Sequence, residues 1–423
     1  MLSTLRNAWK IPDLRRRLIF VVIMLVVYRG GAFIPVPYIN TDVVQQFVSQ
    51  GALFGFFDIL SGGAFKNFTI FAMGIVPYIN SSIIINLLTI AIPKLEQMSK
   101  EGEDGRKKIA QITRYGTIVL GTIQAFGLTL LIRSQGAIIK DSPFHLFIII
   151  ITLVAGTSFL MWLGEQITDK GIGNGISLLI FTSIISRYPS MGFQISGLVS
   201  AGTADWFEVI IFIAFALISI IAVVTMDLAE RRIPVQYAKK MVGRKMYGGQ
   251  STHIPISVSS SSVIAIIFAM SIMQFPATIA AFVPNAGWVS AFNKGGIFGT
   301  DSWLYIIIYF LLVIFFTWFY TGITFNTKEM AENMKKNGGF IPGIRPGKPT
   351  ADYVQSILNR ITLIGGTFAG IIALTPYFLD KFTGLKDLYF GGTSILIVVG
   401  TALELAKQLE AQMTMRHYQG FLK

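Results

Sequence analysis

What most limits this chain is a series of long apolar runs. A helix needs about 20 apolar residues to cross a bilayer core. Runs approaching that length occur ten times, near 18–35, 68–92, 112–132, 144–163, 175–188, 206–228, 258–282, 303–325, 360–379 and 388–406. Composition agrees: 53 % of the 423 residues are hydrophobic and only 13 % are charged. Soluble domains carry about 25 % charged residues. So little charge cannot cover a soluble surface of this size. The expectation is an all-α polytopic membrane protein with ten transmembrane helices. The basic start of the first run, Arg15-Arg16-Arg17, resembles a signal peptide. No small-x-small cleavage site follows, and Arg29-Gly30-Gly31 stands where one would lie.

Basic residues assign an orientation. With ten spans both termini share one side. That side collects 27 of the 35 Lys and Arg residues, and the other side 8. Positively charged loops stay in the cytoplasm, so both termini are expected there. Two of these loops, 229–257 and 327–360, are long and basic. The first should form a hairpin-like protrusion with Arg244 and Lys245 at its tip. The second holds Arg345 between two Pro-Gly turns, which stiffen it. Topology and attraction to anionic lipid account for part of this charge. Ordered turn chemistry adds the expectation of an acidic or RNA-containing partner.

Catalytic and cofactor chemistry find little support. Cysteine is absent, and the three histidines, His145, His253 and His417, are scattered. Disulfides, thiolate metal sites and cysteine nucleophiles are excluded, and a zinc site is not expected. Lys170-Gly-Ile-Gly-Asn-Gly175 looks like a phosphate loop but follows no strand and lacks a Walker lysine. It is better understood as a tight turn entering the fifth span, flanked by Glu165 and Asp169. No cofactor and no enzyme activity are expected. Ion-coupled transporters place ionisable residues in mid-span. Here the mid-membrane polar residues are amides and hydroxyls instead, at Asn80, Asn86, Gln124 and Ser259–Ser262. Residues 54–66 are apolar but too short to span, so they are expected to be re-entrant or interfacial, with Gly62-Gly63 allowing a fold-back.

These residues carry a resemblance to the SecY family of protein-conducting channels over essentially the whole chain. It rests on ordered matches: Ser61-Gly-Gly-Ala64, Gly74-Ile-Val-Pro-Tyr-Ile79, Lys100–Lys108 with Thr113-Arg-Tyr-Gly116, and Met161–Thr168 running into Gly171–Ser177. Gln250–Pro255, Phe275–Ile279, Pro342–Gly347 and Tyr389–Val399 follow in family order.

The resemblance implies two pseudo-symmetric five-helix halves around a central pore. These are residues 1–188 and 206–423, joined by an outer hinge loop at 189–205. It implies a pore ring of Ile75, Ile79, Ile180, Ile267 and Ile397. A plug helix is implied near 54–66, including Ile59, Leu60, Ser61, Gly62, Gly63, Ala64 and Phe65. A lateral gate lies between the second and seventh spans, at Asn80, Ile83, Asn86, Gln124, Ser259 and Phe275. Arg244, Lys245 and Arg345 match docking positions for the SecA ATPase or the translating ribosome. The further partners implied are SecE-like and SecG-like small subunits, signal peptides, nascent polypeptides and anionic lipids. The implied location is the bacterial plasma membrane. The implied activity is translocation of unfolded secretory chains and lateral release of transmembrane segments, driven by SecA or the ribosome.

Physical logic supports these roles. A ring of isoleucines is dry at rest and blocks ions by dewetting, yet makes no directional bonds that would hinder a moving chain. A seam that opens to lipid lets each segment partition by its own hydrophobicity. The seventh span departs from the family pattern. It starts Ser259-Ser-Ser-Ser-Val-Ile-Ala265 where Asn-x-Ala-Gly-Val-Ile-Pro is usual, and altered gate stability is expected. Two alternatives stand beside the general channel. One is an accessory channel for dedicated substrates. The other is a secondary transporter, which would need broken helices and mid-span charge.

Overall fold

The computed structural model describes residues 2–50, 58, 61–202, 205–237, 240–242, 245–247, 251–259, 262–282, 296–299, 302–383 and 391–420. Its helices are α1 Leu2–Lys10, α2 Pro12–Gly31, α3 Thr41–Gln50, α4 Val76–Ala91, α5 Pro93–Lys100, α6 Glu103–Ser134, α7 Pro143–Lys170, α8 Gly175–Ile185, α9 Tyr188–Ser200 and α10 Trp206–Leu228. The strands β1 Glu230–Tyr237, β2 Lys240–Val242, β3 Lys245–Tyr247 and β4 Ser251–Ser257 follow. Then come α11 Ser262–Phe282, α12 Trp303–Thr324, α13 Thr327–Lys336, β5 Gly339–Phe340, α14 Lys348–Thr383 and α15 Gly392–Gly420.

A helix lies at each of the ten expected positions. Six among the described residues are long and apolar enough to cross a membrane, and the bent pair α4–α5 makes a seventh. The helices at the other three positions are α2, α8 and α11. The first contains Arg15, Arg16, Arg17 and Arg29, and the second has only 11 residues.

Local chemistry sets several boundaries. The second span was expected from residue 68, but its helix begins only at Val76. Turns with positive φ at Gly62, Gly63 and Gly74 occupy the stretch before it. Pro77 then stands in the first helical turn, where its missing N–H is not needed. At the other end Pro93 holds Ile92 in an extended conformation. The chain therefore bends by 101° between α4 and α5. The glycine-rich segment is the tight turn expected of it. Asn174 caps α8 by accepting from the Ile176 and Ser177 N–H groups at 3.0 and 3.3 Å. A Cβ on Gly175 would lie 1.9 Å from the Gly164 carbonyl oxygen, so α7 and α8 cross there backbone to backbone.

The 189–205 segment, expected as an outer loop, is helical for most of its length. Pro189 opens α9 after a break at Ser186–Arg187. Its apolar residues Met191, Ile195 and Val199 then pack around Phe212 and Phe215 of α10. That apolar spacing, three to four residues apart, is a helical one.

The two long basic loops form one body. β1 and β4 make the expected antiparallel hairpin, and β5 joins the free edge of β1 through Gln236↔Phe340 and Tyr237↔Gly339. Ile233, Val235, Ile256, Met334, Ile341, Val354 and Leu358 share one core beneath it. The base of the hairpin is closed by the Val258 N–H on the Ala229 carbonyl at 3.0 Å. Gly365 of α14 leaves room for the Val258 carbonyl, since a Cβ there would sit 2.3 Å from that oxygen. At the other end of the first five spans, Val36, Phe65, Phe68, Ile132, Ile149 and Leu153 form a separate core.

Candidate functional site

The five isoleucines of the expected pore ring come from four segments and meet in one cluster. Ile75 is the residue before α4, Ile79 lies in its first turns, Ile180 is in α8, Ile267 in α11 and Ile397 in α15. Ile75, Ile180 and Ile397 are buried, and Ile79 and Ile267 pack against them. Ala64 is fully buried in the same cluster, so the turn that follows residue 58 touches the core containing the ring.

That turn is tightly held. The Ser61 hydroxyl donates to the Asp58 carbonyl at 3.2 Å and accepts from the Phe65 N–H at 3.0 Å. The Gly63 N–H donates to the Asp58 carbonyl at 2.8 Å. The Asp58 carboxylate takes the Lys66 N–H at 2.8 Å and pairs with Arg187 at 2.8 Å. Burial pushes the Asp58 carboxyl above the usual carboxylate range, against the pull of Arg187 and of Lys66. Ile59 and Leu60, and the helical part expected at 54–57, lie outside the described residues. From Ser61 to Phe65 the backbone is turn rather than helix.

At the expected gate, Ile83 and Leu87 of α4 pack against the cluster that holds Ala265, Ile266, Phe268 and Ala269 of α11. The same cluster also holds residues of α12, α14 and α15, so α4 meets this group of helices through apolar contact. Asn80 is half-buried, and its Oδ1 has no hydrogen-bond partner among the described residues. Asn86 is exposed and Gln124 half-buried. Ser259 is buried and hydrogen-bonds Asp227 at the end of α10, with Lys407 of α15 nearby. Among the described residues no hydrogen bond joins Asn80, Asn86, Gln124 and Ser259 into a network. The Phe275 side chain lies outside the described residues, though its backbone belongs to α11 next to Pro276.

Among the docking residues, Arg345 is exposed between Gly343 and Gly347, both at positive φ. The Thr350 hydroxyl fixes its carbonyl at 2.9 Å. Arg244 lies outside the described residues, and Lys245 is placed only by its backbone, at the start of β3. Glu165, expected to cap or pair, pairs with Arg114 at 2.7 Å and ties α7 to α6.

Sequence reasoning missed the residues around the Ser61–Phe65 turn: Tyr28, Arg29, Asp58, Ser183 and Arg187. Tyr28 reaches both the Ser61 carbonyl and the Ser183 hydroxyl. One clue existed. Arg29 and Arg187 are two of only eight basic residues on the poorly charged side.

The comparisons agree with this fold. The SecY family matches residues 69–406. A protein translocase subunit SecY from Streptomyces galbus is 47 % identical over 441 residues, covering all of both chains. A solved SecY channel, described by the role of its plug domain in stabilising the closed state and the membrane seal, superposes with a TM-score of 0.69. It is 20 % identical, over 95 % of this chain and 92 % of that one. Sec61 from the canine ribosome–channel complex of the endoplasmic reticulum gives 0.66 at 19 % identity, over 94 % of this chain and 92 % of that one. Matched along its whole length, with a buried isoleucine cluster beside a clasped turn, the chain belongs to the SecY family of protein translocase subunits.

Proposed function

We propose that the chain translocates unfolded secretory polypeptides through the Ile75, Ile79, Ile180, Ile267 and Ile397 ring and releases transmembrane segments between α4 and α11. As a SecY-family member it is a multi-pass membrane protein and a protein-conducting channel, not an enzyme. The observation that carries the finer reading is the convergence of those isoleucines in one buried cluster touching Ala64. A dry collar of branched side chains excludes ions at rest. It also deforms around a passing chain without breaking directional bonds. Residues 54–66 are the plug on its outer side. All ten helices named at the expected positions cross the membrane, with residues 1–188 and 206–423 as the two halves and 189–205 as the hinge. The gate residues are Asn80, Ile83, Asn86, Gln124, Ser259 and Phe275. An apolar signal segment leaves by parting α4, with Ile83 and Leu87, from α11.

Energy comes from outside the chain, from a SecA-type ATPase or the translating ribosome docked on Arg244, Lys245 and Arg345. SecE-like and SecG-like subunits complete the complex, and anionic lipid surrounds it. The membrane is the bacterial plasma membrane, with both termini cytoplasmic. The test is reconstitution of the chain with a SecE-type subunit in liposomes, with SecA, ATP and a presecretory protein. ATP-dependent protection of the substrate from protease, lost on Arg345→Glu, supports the reading. Absence of protection with an active SecA overturns it in favour of a dedicated accessory channel.

A further inference from the structure

The plug turn is clasped by charged and polar groups from two separate spans. Asp58 is the centre. Its side chain is 2 % exposed, and its ion-pair partner Arg187 is 27 % exposed. Arg187 stands at the break where α8 ends and α9 begins. From the other side, Arg29, in the last turn of α2, donates to the Gly62 carbonyl at 2.9 Å. Tyr28, one residue earlier, donates to the Ser61 carbonyl at 3.4 Å. Gly62 has φ +66°, and a Cβ on it would lie 3.1 Å from the Ser183 Cα, the Ser186 Oγ and the Arg29 Nη1. The turn is thus seated against α2 and α8 with no slack, and its two grips belong to different helices.

We propose that Asp58, Arg187 and Arg29 are positioning residues that latch the plug, so that its release is coupled to movement at the α8–α9 break. The inference rests on residues 54–66 being the plug. The argument is electrostatic. A buried carboxylate is held in place by its cation, and losing one partner leaves an uncompensated buried charge. Undocking the turn requires Arg187 and Asp58 to separate. The Arg187 backbone is built into the join between α8 and α9, its N–H bonded to the Ile184 carbonyl at 3.1 Å and its carbonyl taking the Met191 N–H at 3.0 Å, so the root of the guanidinium moves with the join. The join and the plug therefore move together. Bending at this join carries the root of Arg187, and with it the guanidinium, away from Asp58. Arg29, stacked over Phe33 at 5.3 Å, then holds only one carbonyl.

The pair is tested in the full-length chain, reconstituted in planar bilayers without a translocation partner. Resting ion conductance is one readout. The second is labelling of Ala64→Cys by a membrane-impermeant thiol reagent. The native chain has no cysteine, so the label reports this position alone. Asp58→Asn and Arg187→Gln should each shift the docking equilibrium by roughly 100-fold, raising both conductance and labelling. Arg187→Lys, which keeps the charge, should restore most of the seal. The double variant Asp58→Asn with Arg187→Gln should leak no more than the worse single variant, because both act through one pair. Removal of residues 61–64 serves as the reference for an absent plug. If removal leaks while both neutral variants stay sealed and unlabelled, the latch is wrong and the plug reading survives. If removal does not leak, the plug reading fails and the latch with it.

Discussion

Ile180→Ala tests the ring most directly. Ile180 is buried in the shared cluster, on α8. The substitution removes three carbon atoms from the collar, and each buried CH₂ is worth about 0.8 kcal/mol. Wetting the collar therefore becomes cheaper by about 2 kcal/mol, and the wet-to-dry ratio rises roughly 30-fold at 1.4 kcal/mol per decade. The proposed plug would block the same path, so the comparison is made in a chain lacking residues 61–64, by conductance in planar bilayers. The control is Ile184→Ala. Ile184 lies one helical turn further along α8, is buried in the same cluster and loses the same atoms, but is not in the ring. Both variants should lose stability in detergent by about 2–5 kcal/mol, whereas only Ile180→Ala should conduct more. Equal leak from both, or no leak from a folded Ile180→Ala, refutes the ring as the seal.

Other substitutions probe the frame and the partners. Gly175→Ala forces a methyl onto the Gly164 carbonyl and should lower stability by about 1–3 kcal/mol or more, seen as a lower midpoint in a detergent melt. An unchanged melt means that α7 and α8 are not in backbone contact. Asn174→Ala removes a double cap and should cost about 1 kcal/mol in the same assay. Ser259→Asn with Ala265→Pro restores the usual start of the seventh span. Export of weak signal sequences should change, and unchanged export would show that these departures do not set the gate. Arg345→Glu should abolish partner-driven translocation in liposomes while leaving the melt unaltered, since the side chain is exposed.

Much of the architecture was legible because a bilayer imposes a length and an apolarity that sequence shows directly. The ten helix positions, the β1–β4 hairpin and the tight turn at Gly171–Gly175 all follow from local chemistry: apolar length, turn residues and a capping Asn174. The helix at 189–200 was missed because Pro189 and two glycines, Gly192 and Gly197, signal a loop. The apolar face that Met191, Ile195 and Val199 offer to Phe212 outweighs them. The start of the second span was placed too early because hydropathy continues through 68–75 while Gly74 and Pro77 stop the helix. The ring isoleucines look like any others in a membrane helix, and only the family resemblance singled them out. Asp58 with Arg187 could not be paired from sequence at all. The two are 129 positions apart, and nothing local to either names the other.

The closed base of the hairpin ties the basic loops to the start of a span. β4 ends at Ser257 and α11 begins at Ser262. Between them the Val258 carbonyl lies against Gly365, and the Val258 N–H is tied to Ala229. The β1–β4–β5 body also shares its core with Val354 and Leu358 of α14, the helix that carries Gly365. Under the proposed docking, a load on the sheet would therefore reach α11 and α14 through one joint, beside the Ser259 hydrogen bond to Asp227.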